Sequence, residues 1–161
     1  TFDEIFKAID DIFKTHHITP THILLDYIQI ARINLNAREG KAEQVANAVE
    51  RAEDLAFAYG ATIDICAQAS REVDKNLIKI PSDCQWSSAI EQGGYKVISI
   101  WRPSLTEPLN SSITINDTTI PVTQNLLIMK LAKQKMDAAG FMYALHLNPA
   151  TVEMMEMETR K

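Results

Sequence analysis

At 161 residues, with 46% apolar letters and 23% charged ones, the chain has the balance of one packed globular domain or a large piece of one, which excludes disorder as its ground state. Sixteen Lys and Arg against 21 Asp and Glu leave a net charge of −5, so no overall positive field holds nucleic acid or an anionic membrane, and any such contact must be local. Two cysteines, Cys66 and Cys84, support neither a disulfide framework nor a four-ligand zinc site and suit a reducing cytoplasm. No apolar run approaches the roughly 18 residues of a membrane span.

Thr1 followed by Phe2, Asp3 and Glu4 reads as a helix N-terminus, with Ile5, Phe6, Ile9, Ile12 and Phe13 continuing one apolar stripe to about Lys14. A chain that opens at a helix cap without a Met reads as a fragment. Thr19-Pro20 then breaks the chain. His22 to Asp26 is an apolar run closed by an acid, the pattern of a parallel strand buried on both faces. Helical spacing returns from Arg38 to Tyr59, with Val45, Val49, Ala52, Leu55, Ala56 and Tyr59 inward and Gly60 as the stop. Ala61 to Ala67 is a second buried strand, so strand, helix and strand make a right-handed crossover and a parallel pair.

Further along, Gln85 to Gln92 suits a short helix, and Tyr95 to Trp101 alternates into a third strand. Residues 103–125, bracketed by Pro103, Pro108 and Pro121 and rich in Ser, Thr and Asn, read as a long surface loop or irregular hairpin. Leu126 to Ala132 and Met142 to Leu147 are expected as an antiparallel hairpin joined around Asp137 to Gly140, with Thr151 to Met155 adding an edge strand.

Few of these features carry chemistry. Asp26 ends an apolar strand, where a carboxylate can hold a nucleotide's magnesium through its water shell or simply cap a loop. Gln68 occupies the matching end of the next strand, and ligands in open α/β sheets gather at those ends; a solvated loop amide is the plain alternative. Strict alternation sets Lys133 and Lys135 on one strand face and Lys130 on the other, suited either to phosphate or to edge protection. Asp64 stands inside a strand and needs a partner or an edge. His16, His17 and His22 lack companions for a metal set.

Whole strings carry more. His-Ile-Leu-Leu-Asp-Tyr-Ile-Gln-Ile at 22–30 resembles the Walker B strand of DnaB-type replicative helicases, in which Asp-Tyr-Leu-Gln follows an apolar run. Ala67-Gln68 with Ser70-Arg71 resembles that family's Ser-Gln-Leu-Asn-Arg segment. Ser82-Asp83, Ser87 and Ile90-Glu91-Gln92 resemble its Ser-Asp-Leu-Arg-Glu-Ser-Gly-Ser-Ile-Glu-Gln motif, and Lys133-Gln134-Lys135 resembles Lys-Gln-Arg on a late hairpin. Four motifs in one order span almost the whole chain.

The resemblance implies an α/β fold: one partial RecA-like ATPase domain over 1–161, with a parallel sheet, flanking helices and a C-terminal antiparallel hairpin. The half bearing the phosphate loop is absent, since no Gly-x-x-x-x-Gly-Lys-Ser/Thr occurs. It further implies a hexameric ring that hydrolyses ATP with Mg between subunits and moves on single-stranded DNA during replication. Asp26 would be the magnesium-site acid, Gln68 the γ-phosphate sensor, and Lys133 and Lys135 the cations offered to the neighbouring subunit. Asp83, Gln85, Trp86, Ser87 and Ser88 would lie on the DNA-facing loop. Lys135 replaces the family's finger arginine and forfeits its bidentate fork; Gln85, Trp86 and Ser88 replace Arg, Glu and Gly. These departures keep a rival open: a degenerate RecA-like module with a structural or regulatory role. The chain by itself is expected to be inactive.

Overall fold

Two units make up the chain, and the computed structural model describes residues 2–28, 40–68 and 87–157. The first unit begins with α1 (Phe2–His16), which places Asp3 and Glu4 in its first turn and Lys14 and His16 in its last, each charge opposing the nearer end of the helix dipole. The helix stops where His17 turns left-handed and donates its N–H to the Phe13 carbonyl at 2.9 Å. Strand β1 (His22–Leu25) follows, then α2 (Lys41–Tyr59) and β2 (Thr62–Ile65). Gly60 ends α2 in the left-handed conformation (φ 61°), which costs a residue without a Cβ little. The strands β1 and β2 pair in parallel, His22 opposite Thr62 and Leu25 opposite Ile65.

One face of this pair is covered. Ile28, Val45 and Ala48 are buried, and Phe6, Leu25, Val49, Ile65, Ala67 and Ile90 pack around them. The other face is open: Leu24 is 65% exposed, and His22, Thr62 and Asp64 share its side. The expectation that both strands are buried on two faces is thus corrected, because the described elements cover only one side of the pair. Asp64 finds its partner on that open side, where its Oδ2 lies 2.7 Å from His22 Nε2 across the two strands. Helix α1 is tied to α2 by Asp3 with Arg51 and by Asp10 with the Tyr59 hydroxyl. Helix α3 (Ser87–Gly93) packs on α2 so closely that a Cβ at Gly93 would fall onto Val49 Cγ1.

The second unit is antiparallel. Its strands are β3 (Lys96–Trp101), β4 (Ser112–Ile115), β5 (Thr118–Pro121), β6 (Leu126–Gln134), β7 (Met142–Asn148) and β8 (Glu153–Glu156). The main sheet runs β3-β6-β7-β8, so the expected late hairpin is β6–β7 and the terminal edge strand is β8. Among the described residues, parallel pairing is confined to β1 and β2.

Of the two expectations for residues 103–125, a surface loop or a hairpin, the hairpin is the one that forms. The segment holds a 3-10 turn (Pro103–Leu105) and the β4–β5 hairpin, whose Ile115 and Ile120 enter the core with Trp101, Leu126, Ile128 and Ala144. The turn residues Asn116 and Asp117 both have positive φ (48° and 63°), the backbone that a two-residue hairpin loop requires. Arg102 closes the base of the excursion by donating from Nε and a terminal nitrogen to the Gln124 carbonyl at 3.0 and 2.6 Å. At the tip, Asn116 Nδ2 donates to the Met142 carbonyl at 2.9 Å. Removing fully buried Ile and Leu side chains from water contributes roughly 1.5–3 kcal/mol each, so this hairpin is part of what holds the second unit together. No helix among the described residues is long and apolar enough to cross a membrane.

Candidate functional site

In the first unit, parallel pairing brings Asp26 and Gln68 to the same end of the two strands. The backbone ladder continues past the strands proper: Cys66 N–H donates to the Leu25 carbonyl at 2.9 Å, and Ile28 N–H donates to the Cys66 carbonyl at 3.0 Å. Those two bonds flank Asp26, whose peptide to Tyr27 is cis. Both Asp26 and Gln68 are exposed, as groups meeting a soluble ligand must be. A carboxylate supplies hard oxygens suited to magnesium, and an amide can donate and accept in one place. Among the described residues no group of three His, Cys, Asp or Glu side chains could hold a metal ion.

In the second unit, Lys133 lies within β6 and Lys135 just beyond it, where its N–H donates to the Tyr95 carbonyl at 3.1 Å and its ammonium sits 5.4 Å from the centre of the Tyr95 ring. The two lysines share a face, as two-residue spacing requires. Lys130 departs from expectation. Ile98 stands opposite Leu131 but Val97 stands opposite Lys133, so Ala132 is an extra residue in β6. That bulge reverses the alternation: Lys130 faces Ser99 and Lys133 faces Val97, and Ser99 and Val97 are two apart on β3. Lys130 thus joins Lys133 and Lys135 on one face instead of pointing away from them. No local sequence signal marks this bulge, since nothing in Leu131-Ala132-Lys133 is a Gly or Pro.

Asp83, Gln85 and Trp86 lie outside the described residues, as do Ser70, Arg71 and Ser82; Ser87 and Ser88 open α3. Met154 and Met155 belong to the exposed edge strand β8, whereas Met157 packs against the second unit's core.

The first unit is thus a β-α-β crossover with an acid and an amide at adjacent strand ends, and an antiparallel sheet follows it in the chain, a mixed α/β architecture. Comparison with solved structures agrees. The chain is similar to a DnaB-like replicative helicase studied with its interactions with primase, at a TM-score of 0.70 and 15% identity over 91% of this chain and 33% of that one. It is equally similar to the ATPase domain of G40P, with a TM-score of 0.70 and 15% identity over 93% of this chain and 51% of that domain. The chain therefore has the fold of these ATPase domains and spans about half of one. No family model matches it, and no curated protein does.

Proposed function

We propose that this chain is the C-terminal half of the ATPase domain of a ring-shaped DNA helicase, which couples ATP hydrolysis at subunit interfaces to movement on single-stranded DNA in replication. The observation that carries the reading is the placement of Asp26 and Gln68 at one end of a parallel pair, within a fold matched over 93% of the chain by an ATPase domain. ATP with magnesium would supply the phosphoryl group and its charge neutralisation. Asp26 would hold the cation's water shell, and Gln68 would bond the γ-phosphate and pass its presence to the segment that follows. Lys133 and Lys135, projecting from a hairpin strand, would offset negative charge on the phosphoryl oxygens of a neighbouring subunit in a hexamer. A lysine there gives less than an arginine's bidentate fork, so turnover should be slow for the class. Asp83 to Ser88 would meet the DNA backbone.

The test uses the domain with its other half present, measuring ATP affinity and DNA-stimulated hydrolysis separately. Asp26→Ala should abolish magnesium-dependent turnover, and Gln68→Ala should lose DNA stimulation while keeping ATP affinity. Rings mixed from Asp26→Ala and Lys135→Ala subunits should recover activity above either parent, because some interfaces then pair an intact acid with an intact lysine. Magnesium-dependent ATP turnover by the 161-residue chain alone would overturn the reading of it as a half-site.

A further inference from the structure

We infer that Lys130 is a third phosphate contact, which with Lys133 and Lys135 makes a row of cations that grips the polyphosphate of a nucleoside triphosphate. The inference rests on the reading of Lys133 and Lys135 as phosphate contacts and extends it to a residue that strict alternation would have removed. The bulge at Ala132 is what places Lys130 there, opposite Ser99 and on the face shared by Val97 and Lys133.

Neighbours on that face grade from apolar to charged along β6. Ile128, two residues before Lys130, is buried in the core, Lys130 and Lys133 are half-buried, and Lys135 is exposed against Tyr95. Half-burial of Lys130 and Lys133 limits the directions their side chains can take. The hairpin tip helps position the inner end, because Asn116 holds the Met142 carbonyl and Met142 stands opposite Lys130 in the β6–β7 register. Three lysines on one face of β6, in a chain of net charge −5, concentrate basic side chains over a length that suits several linked phosphates better than one. The ammonium of lysine acts on each phosphate as a point charge, so the row needs no single geometry.

The probe is inorganic tripolyphosphate, titrated into the whole chain at low salt and followed by phosphorus NMR, with a single-stranded thymidine oligonucleotide titrated in parallel. Lys130→Met keeps the half-buried stem and removes the charge. It should weaken tripolyphosphate binding about threefold to tenfold, as should Lys133→Met and Lys135→Met, and Lys130→Arg should restore it. The salt dependence of binding should fall in Lys130→Met, which a purely structural role for the residue would not cause. Normal binding by Lys130→Met, with loss in the other two, overturns the inference and leaves the reading of Lys133 and Lys135 standing. Indifference to all three changes, or no binding by the unchanged chain, overturns both. Loss of oligonucleotide binding alone in Lys130→Met would assign the residue to nucleic acid and overturn the nucleotide proposal.

Discussion

The two units of the chain solve the same packing problem with opposite completeness. In the antiparallel unit each strand of the β6-β7-β8 meander pairs with its neighbour in sequence, and the β4–β5 hairpin folds back to supply Ile115 and Ile120 to the core. In the parallel unit two strands need a 19-residue helix between them simply to align, and together they cover one face while Leu24 and the His22–Asp64 pair stay in water. Antiparallel connections close locally; parallel ones require further crossovers before both faces are buried.

The comparison would break most sharply at Ile128. Its truncation to Ala leaves a cavity in the core of the second unit and should cost about 3 kcal/mol. Hydrogen exchange should speed up in β6 and β7 while amides of β1 and β2 keep their protection, if the units open separately. Equal loss of protection in both would show that they unfold as one. A smaller effect in the first unit comes from Gly93→Ala, whose new methyl meets Val49 Cγ1, a short and stiff neighbour. A loss of about 1–3 kcal/mol is expected, read in the exchange of α2 and α3, and Val49→Ala in the same chain should return part of it. The smallest effect sharpens the picture of the second unit's edge. Val152 has φ 58° in the turn between β7 and β8, where its N–H bonds the Asn148 carbonyl at 2.8 Å. A β-branched residue is strained there, so Val152→Asn should stabilise the unit by about 1 kcal/mol and raise its thermal midpoint.

Much of this architecture is legible in the amino-acid sequence. Helix α2 ends at Gly60 as its apolar spacing and stop residue indicate, β1 and β2 pair in parallel, and Leu126 onward forms the hairpin and edge strand expected of it. The β4–β5 hairpin was less legible because Ser, Thr and Asn dominate its composition. Its signal was present nonetheless in the alternation of Ser112-Ile113-Thr114-Ile115 and in Asn116-Asp117, a pair that tolerates the left-handed region. Of the candidate site, Asp26 and Gln68 could be placed at neighbouring strand ends from pattern alone, since parallel order puts both carboxyl ends together.

What the amino-acid sequence determined by itself was the kind and order of elements, because helix period, strand period and stop residues act over a few neighbours at a time. Which faces of those elements are covered, and which side chains share a face, was decided only in the tertiary structure. Asp64 is tolerated in a strand because His22, diagonally across the pair, reaches it on an uncovered side. Lys130 joins Lys133 and Lys135 because β6 must absorb one extra residue against β3. A single inserted residue reverses every later side chain in a strand of period two, and that insertion is set by the partner strand's register rather than by any local preference of the residues that carry it.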